Sequence, residues 1–276
     1  IASRDLGRAR AVAQQLGIAK AYGSYEELLG DPDIDAIYNP LPNHLHVDLT
    51  LQAAAAGKPV LCEKPIGMNA ADAERLRQVD GKVPVMEAFM VRFHPQWLWV
   101  REQVRSGALG EVRAVQTFFS FTNIDPDNIR NKPETGGGAL LDIGCYPTVI
   151  SRFLFEAEPL RVCAQVERDP NFGTDRLVSA ILDFGEGRRS EFTISTQVTP
   201  FQRVQVVGTK ARLEVEIPFN APQGAETRVY MDDGSVLGDG GRKLQTFPAS
   251  DQYAEQCDAF ARAVLGEAPL PYGIED

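Results

Sequence analysis

The size, composition and charge of the chain restrict what it can be. It has 276 residues, 43% hydrophobic and 24% charged, the balance of a soluble globular protein with one large or two ordinary domains. It contains no run of about 18 apolar residues that would predict a membrane span, and no secretory signal stands at its start. The formal net charge of -10 disfavours binding to nucleic acid, although a local basic group or a helix N-terminus can still hold an anionic cofactor.

The cysteines and histidines favour a cytoplasmic protein without a metal site. The four cysteines form no C-x-x-C pair and lie among apolar neighbours. We therefore expect buried, reduced thiols and a cytoplasmic location. The three histidines lack the spacing of zinc ligands, so we expect no metal.

The first third of the sequence alternates helix and strand patterns. The predicted helices are 9–16, with Asp5 as N-cap and Gly17 as C-cap, 25–29, 43–57, with Asn43 as N-cap, and 70–78; the predicted strands are 35–39, 59–62 and 83–88. This alternation is typical of βαβ units in a parallel sheet. Such sheets bind ligands at the carboxyl ends of their strands.

The pattern changes after Gly110 to strands that alternate apolar and polar residues. The predicted strands are 111–122, 160–168, 176–184, 190–198, 202–207, 211–217 and 227–231, with helices at 140–155 and near the end of the chain. Period-two alternation indicates a sheet with one covered face. The sequence therefore predicts a nucleotide-type α/β domain over residues 1–108, followed by an α+β domain with a large, mostly antiparallel open sheet over residues 109–276.

Glu63-Lys64-Pro65 is the first candidate for chemistry, because it directly follows the predicted strand 59–62. A lysine at the carboxyl end of a parallel strand points into the ligand crevice. Its ammonium group can hold a substrate hydroxyl and stabilise an alkoxide that forms there. The alternative for this tripeptide alone is a surface lysine in a strand-to-loop turn.

The second candidate is the segment 136–147, which reads G-G-G-A-L-L-D-I-G-C-Y-P. Its three consecutive glycines let the backbone approach a ligand or another chain closely. Asp142 and Tyr146 are four residues apart, so both face one side of a helix, and Pro147 predicts a kink near Tyr146. The alternative is a core tyrosine with a satisfied hydroxyl, and Asp142 as a charge near a helix N-terminus.

Taken together, these segments resemble the glucose-fructose oxidoreductase and inositol dehydrogenase family, often written Gfo/Idh/MocA. The matching stretches are 38–46 (Y-N-P-L-P-N-H-L-H), 63–65 (E-K-P), 86–92 (M-E-A-F-M-V-R) and 136–147, and 128–130 (N-I-R) fits the loop before the glycines. E-K-P alone is a weak signal, whereas E-K-P followed by G-G-G-x-L-x-D-x-G is specific. The resemblance covers nearly the whole chain and implies that the first domain is of Rossmann type.

The resemblance also implies roles for particular residues. Lys64 is expected beside the nicotinamide and the substrate, Asp142 is expected to touch substrate, and Tyr146 takes the acid–base position that is histidine in many members. A tyrosine can serve there if a nearby cation such as Lys64 favours its anion. We therefore expect Lys64 and Tyr146 to meet in a cleft between the domains, with Lys64, Tyr146 and Asp142 as the catalytic set.

Two wider sets follow from the same resemblance. The expected cofactor-binding residues, together with the two discussed next, are Asn39, Pro40, Leu41, Asn43, His46, Glu63 and Lys64. The expected substrate-binding residues are Lys64, Arg92, Asn128, Arg130, Asp142 and Tyr146.

Ser3 and Arg4 predict the choice of cofactor. In a dinucleotide-binding fold, the end of the second strand meets the adenosine ribose, and an acidic residue there favours NAD. Here that position falls at Ser3 and Arg4, which can donate to the 2′-phosphate of NADP. Asp5 competes with this interpretation unless its carboxylate caps the next helix. We therefore predict NADP, with NAD as second choice.

One departure from the family is large. Its first strand and its G-x-G-x-x-G turn should precede Ile1, and its last helix should follow Asp276. Without that turn the cofactor pyrophosphate loses its backbone cradle. We therefore expect the native protein to continue beyond both ends of this chain.

The predicted function is NADP-dependent oxidation or reduction of an aldose or related polyol. The alternatives are a dehydrogenase of trans-dihydrodiols or other cyclic diols, and a non-catalytic nucleotide-sensing regulator on the same fold. The expected partner is a small-molecule substrate, with no nucleic acid and no membrane. A homodimer or homotetramer is also expected through the antiparallel sheet, whose Val162, Val178 and Phe192 are too apolar for a free face.

Overall fold

The computed structural model describes residues 1–238 and 240–276 and divides into two compact units. One unit comprises residues 1–88 with 259–276, and the other comprises residues 89–258. The sequence predicts domains over residues 1–108 and 109–276. The two units differ from that division, because residues 89–108 belong to the second unit and residues 259–276 to the first. Within the described ranges, no helix is both long and apolar enough to cross a membrane.

The first unit contains a three-stranded parallel sheet, as the alternating pattern predicts. Its strands are β1 (Ile37–Asn39), β2 (Val60–Glu63) and β3 (Val85–Ala88), and its helices are α1 (Leu6–Leu16), α2 (Tyr25–Gly30), α3 (His46–Ala55) and α4 (Ala70–Glu74). Ala2 forms an isolated parallel bridge with Tyr22, so the first residues are extended. The Rossmann-type expectation for the strand and helix order of this region is confirmed.

Capping residues explain both ends of α1, but not the start of α3. Asp5 accepts a hydrogen bond from the Arg8 amide at 3.1 Å, so α1 begins at Leu6, three residues earlier than predicted. Gly17 ends α1 with φ 69°, as predicted. Asn43, in contrast, does not cap a long helix, because it opens the short 3₁₀ helix Asn43–Leu45 and α3 begins only at His46.

The second unit is built on an eight-stranded sheet in the order β11-β10-β9-β8-β4-β7-β6-β5. Among the described ladders of this eight-stranded sheet, only the β4–β7 pair is parallel. The sheet is therefore mostly antiparallel, as predicted. The strands are β4 (Val112–Thr122), β5 (Arg161–Arg168), β6 (Asp175–Asp183), β7 (Arg189–Ser195), β8 (Gln197–Gly208), β9 (Arg212–Val215), β10 (Thr227–Asp232) and β11 (Arg242–Phe247). The helices are α5 (Pro95–Arg105), α6 (Cys145–Phe155) and α7 (Gln252–Val264), the last of which continues into the first unit.

The sequence patterns missed two of these elements and misjudged two others. Helix α5 is capped by His94, an unusual N-cap residue, and β11 buries only Phe247, so neither shows a strong signal. The predicted helix 70–78 is α-helical only to Glu74 and continues as a 3₁₀ helix over Arg75–Val79. The predicted helix 140–155 begins with a π-helical turn at Leu140–Gly144.

One face of the large sheet is covered by α5 and α6, and the other is open. Val162, Val178 and Phe192 all lie on the covered side, because they align with core residues on neighbouring strands. The argument that Val178 and Phe192 need a partner surface is therefore wrong, because both are buried in the core of the unit. Val162, on the edge strand β5, is exposed. The open face instead presents Phe118 and Ile181.

The cysteines are also less buried than predicted. All four are free thiols, but Cys163 and Cys257 are exposed and only Cys62 is buried. Cys163 lies on β5 at the edge of the open sheet face, where its apolar sequence neighbours do not cover it.

His94 is a fully buried histidine that titrates below its ordinary range. Its Nδ1 atom accepts a hydrogen bond from the Gln96 amide at 3.1 Å, which caps α5 and leaves the Nε2 atom to carry the proton of the neutral ring. Burial penalises the charged ring and lowers the pKa of His94 to about 4. The histidine is therefore neutral in the folded protein over most of the pH range.

This burial predicts a specific pH dependence of stability. Between the ordinary pKa of 6.5 and the folded value of about 4, the unfolded chain binds more protons at His94, so the free energy of unfolding falls as the pH drops through this window. The contribution approaches about 1.4 kcal/mol per pH unit at most. His94→Asn replaces the capping Nδ1 atom by a side-chain oxygen and removes the titrating group. The free energy of unfolding, measured in urea between pH 4 and pH 6.5, should therefore decline less steeply as the pH drops. His44→Asn, at an exposed histidine, is the control and should retain the wild-type slope.

Candidate active site

Polar residues gather where the three parallel strands of the first unit end. Asn39 is the last residue of β1, and Glu63 is the last residue of β2, with Lys64 directly after it. The strands are in register at this edge, since Asn39 aligns with Cys62 and Glu63 aligns with Ala88. The predicted position of Lys64, at the carboxyl end of a parallel strand, is therefore confirmed. Ligands of open α/β sheets bind at this edge.

The loop after β2 is fixed by hydrogen bonds from its neighbours. The Glu63 carboxylate accepts hydrogen bonds from the Tyr38 hydroxyl at 2.6 Å and from the Lys64 amide at 3.3 Å. The Ile66 amide donates to the Glu87 carboxylate at 2.6 Å. Lys64 itself is half-buried, and the Lys64–Pro65 peptide bond is cis. The backbone around Lys64 is thus held on both sides by carboxylates.

His46 ties the loops after β1 and β2 together. Its ring is only 1% exposed, with Nδ1 at 2.8 Å from the Pro65 carbonyl and Nε2 against the Leu41 carbonyl. Asn39 is also buried, and its amide group donates to the His46 carbonyl and accepts from the Leu41 amide. Both side chains, expected among the cofactor-binding residues, are engaged with the protein backbone. They shape the edge of the sheet rather than presenting a surface.

The remaining expected cofactor residues of the first unit are more accessible. Pro40 is exposed, whereas Leu41 and Asn43 are half-buried. Ser3 accepts a hydrogen bond from the Asp5 amide at 3.2 Å, and Arg4 is exposed.

Tyr146 lies in an aromatic enclosure in the second unit. It is 5% exposed, and its ring centroid lies 5.6 Å from that of Phe89, 5.7 Å from that of Phe119 and 5.1 Å from that of Phe219. The hydroxyl lies 3.8 Å from the sulfur of Met90, which is a weak acceptor. The three aromatic neighbours hold the tyrosine ring in one orientation.

Asp142 forms an ion pair with Arg130. The Arg130 Nε atom donates to the Asp142 Oδ2 atom at 2.8 Å, and the carboxylate is 13% exposed while the arginine is 44% exposed. Asp142 belongs to the π turn Leu140–Gly144, and Tyr146 lies in the first turn of α6. That the two side chains face one side of the helix stays a prediction.

The loop before the glycines is an ordered support for Arg130. The Asn128 side chain accepts a hydrogen bond from the Arg130 amide at 3.0 Å, and the buried Asn131 side chain donates to the carbonyls of Asn123 and Asp125. Asn128, expected to bind substrate, thus caps the 3₁₀ helix Ile129–Asn131. Its hydrogen bond positions the backbone of the arginine that pairs with Asp142.

Arg92 packs against an aromatic ring of the same unit. Its guanidinium lies 5.6 Å from the ring centroid of Phe153, and the residue is half-buried.

Two of the glycines allow close backbone contacts. A Cβ atom on Gly137 would lie 2.5 Å from the Arg130 carbonyl oxygen, and one on Gly144 would lie 2.8 Å from the Ile194 side chain. The segment therefore lies close against other parts of its own chain. Within the described ranges, no three His, Cys, Asp or Glu side chains form a group that could hold a metal ion.

Two relevant contacts had no signal in the sequence. Met90 lies beside the Tyr146 hydroxyl, and Asp175, at the start of β6, accepts a hydrogen bond from the Leu140 amide. Met90 belongs to the M-E-A-F-M-V-R stretch, so the resemblance marks its segment but not its contact. Asp175 lies in no motif, and only the folding of β6 against residues 138–140 reveals it.

Comparison with known proteins identifies the family. Residues 1–88 match the family described as "Oxidoreductase family, NAD-binding Rossmann fold". Residues 97–214 match the family of the GFO/IDH/MocA C-terminal domain. The chain therefore belongs to the GFO/IDH/MocA family of oxidoreductases, and the resemblance drawn from its motifs is confirmed.

Three relatives illustrate the range of this family. D-xylose 1-dehydrogenase (NADP⁺) 2 of Haloferax volcanii is 43% identical over 98% of this chain and 82% of its own length. Trans-1,2-dihydrobenzene-1,2-diol dehydrogenase of Xenopus tropicalis is 38% identical over 80% of this chain and 68% of its own length. The crystal structure of a 3-ketoreductase from Actinomadura kijaniata in complex with NADP and TDP-benzene superimposes with a TM-score of 0.90 at 29% identity, over 100% of this chain and 83% of that one.

Proposed function

We propose that this oxidoreductase transfers hydride between NADP(H) and an aldose or related polyol. The observation that carries the proposal is the buried Tyr146, four residues after the Asp142 of the Asp142–Arg130 ion pair, in a chain whose Lys64 directly follows a parallel strand. The similarity to a D-xylose dehydrogenase supports the sugar class. A cytoplasmic location accords with four free thiols.

The first residues of the chain fit NADP better than NAD. The Asp5 carboxylate is engaged by the Arg8 amide, so the nearest acidic group caps α1 and is not directed at a ribose. Exposed Arg4 and half-buried Ser3 are then the polar side chains at this position. A guanidinium can form charge-assisted hydrogen bonds with a 2′-phosphate. Bound NADP would accept the hydride from the carbinol carbon, and NAD is the second choice.

The proposed roles follow from the chemistry of a CH–OH group. Oxidation removes a hydride from the carbon and a proton from the oxygen, and we assign the Tyr146 phenolate as the base that takes up this proton and becomes the neutral hydroxyl. The Lys64 ammonium stabilises the alkoxide that develops on the substrate oxygen. Asp142, held by Arg130, accepts hydrogen bonds from neighbouring substrate hydroxyls. Arg92 and Arg130 complete the substrate-binding set, and Asn128 contributes through the turn that it caps.

A trans-dihydrodiol or another cyclic diol is the second candidate substrate. The three phenylalanine rings around Tyr146 favour a flat apolar ring over a sugar. A dihydrodiol dehydrogenase is also among the relatives. A panel of aldoses, polyols and cyclic diols, assayed with NADP by absorbance, separates the two candidates by their kcat/KM values.

The protein is also proposed to form a homodimer or homotetramer through the open sheet face. Phe201 and Ile181 are 49% and 47% exposed there, and the face also carries Arg203 and Glu191. An apolar area bordered by opposite charges is typical of an interface between copies of one chain.

Removing the tyrosine hydroxyl should abolish most of the activity. Tyr146→Phe keeps the ring contacts with its aromatic neighbours but removes the proposed proton carrier, so kcat should fall about 10²-fold or more, and Lys64→Ala should have an effect of similar size. Tyr230→Phe, on β10 of the same unit, is the control and should keep wild-type kcat. Near-normal turnover of Tyr146→Phe would overturn the assignment.

Arg4 should decide the preference for NADP. Arg4→Ala should weaken NADP binding by about 1.5–3 kcal/mol, the range for hydrogen bonds to charged groups, and leave NAD binding nearly unchanged. Arg10→Ala, also exposed but on α1, is the control and should change neither. Equal affinities of the full-length protein for NAD and NADP, measured by fluorescence titration, would contradict the proposal.

A charge on the open sheet face should disrupt the oligomer. Ile181→Glu buries a carboxylate in the proposed interface, so light scattering at micromolar concentration should show a shift towards monomer. Leu16→Glu, at an exposed leucine of α1, is the control and should leave the mass unchanged. A monomeric wild-type protein would exclude the interface.

A further inference from the structure

We infer that Asp175 is a positioning residue that anchors the helix carrying Asp142 and Tyr146 onto the large sheet. The inference rests on the proposed function for its catalytic consequence. Asp175 is the first residue of β6, and the helix begins with the π turn at Leu140. The two segments are far apart in sequence and meet only in the folded unit.

The anchoring contact is a short hydrogen bond to the start of the helix. The Asp175 Oδ2 atom accepts from the Leu140 amide at 2.6 Å. Amides in the first turn of a helix have no acceptor within the helix, so a partner must come from elsewhere. Ala139, the residue before the turn, supplies no side-chain cap. A carboxylate is the strongest partner available, since it forms a charge-assisted bond and faces the positive end of the helix dipole.

Gly138 is the residue that makes this contact sterically possible. Its φ is 119°, and a Cβ atom there would lie 2.1 Å from the Asp175 Oδ1 atom. The carboxylate therefore occupies the space that any other residue at position 138 would fill. Behind the same turn, Gly144 allows the helix to lie against Ile194 of β7. The helix start is thus fixed against two adjacent strands, β6 and β7.

The proposed catalytic groups follow this anchor at short range. The Asp142 amide donates to the Gly138 carbonyl at 3.1 Å, so Asp142 is tied to the residue in contact with Asp175. Leu140 is 44% exposed, so water can replace the carboxylate as a partner of its amide when Asp175 is removed. The fold should then survive while the helix start becomes less well fixed. A displacement of about 1 Å at an active site can reduce turnover by about 10²-fold.

The decisive experiment compares Asp175→Ala with Asp175→Asn. The asparagine keeps a side-chain oxygen that can accept from the Leu140 amide, whereas alanine has none. Asp175→Ala should lower kcat at least tenfold with KM for NADP unchanged within about twofold, and Asp175→Asn should recover most of the loss. The unchanged KM is expected because the proposed NADP residues belong to the first unit, whereas Asp175 belongs to the second.

Asp183 provides a matched control at the opposite end of β6. Its carboxylate accepts a hydrogen bond from the Gly185 amide at 2.9 Å and pairs with Arg161. Removing this carboxylate therefore also removes a hydrogen bond to a backbone amide, but at a place away from the helix. Asp183→Ala should therefore keep wild-type kcat. Equal losses in Asp183→Ala and Asp175→Ala would reduce the effect to general destabilisation and overturn the inference. Wild-type kcat in Asp175→Ala would also overturn it.

Amide hydrogen exchange tests the anchor independently of activity. In Asp175→Ala, the Leu140 amide should exchange at least tenfold faster than in the wild type, and in Asp175→Asn the increase should be smaller. Unchanged exchange in Asp175→Ala would overturn the inference even if the proposed function holds. If the wild-type protein turns over no sugar or diol, the proposed function fails, and the exchange rates still decide whether Asp175 fixes the helix.

Discussion

The structure around the candidate site depends on one constraint, which is that backbone polar groups need partners where strands and helices end. A strand that stops at a loop leaves carbonyl and amide groups that its ladder no longer satisfies. In the first unit, His46 contacts two such carbonyls, one from each of the loops after β1 and β2. In the second unit, Asp175 satisfies an amide at the start of the helix that carries Tyr146. The backbone near each candidate residue, Lys64 and Tyr146, is thus held in place by hydrogen bonds from other side chains.

The same requirement explains the hydrogen bonds of two buried polar residues near the candidate site. Asn39 and Asn131 are both buried, and both donate to backbone carbonyls of neighbouring loops. A buried amide without such partners would destabilise the fold by about 1–3 kcal/mol. A motif residue can therefore also hold neighbouring backbone in place, as His46 does through its contacts with the Leu41 and Pro65 carbonyls.

The environment of Tyr146 differs from that of Asp142, although the two residues are close in sequence. Aromatic rings enclose the tyrosine, whereas a carboxylate paired with an arginine lies four residues earlier on the same segment. Asp142 belongs to a π turn, and Tyr146 lies in the first turn of the α-helix that follows it. An apolar wall beside the hydroxyl and a charged pair near it suit a reaction in which a proton leaves an oxygen atom while neighbouring hydroxyls are held.

The sequence by itself determined the parallel sheet, the mostly antiparallel sheet, the caps of α1 and the position of Lys64 at a strand end. These features depend on local periodicity, on capping residues and on motifs that are contiguous in the chain. It did not determine helix α5, strand β11, the covered side of Val178 and Phe192, or the partners of Asp142 and Leu140. Those depend on contacts between residues far apart in sequence, such as Arg130 with Asp142 and Asp175 with Leu140. Only the tertiary structure decides them, because a side chain's partner is chosen by which strands and helices pack together and not by its neighbours along the chain.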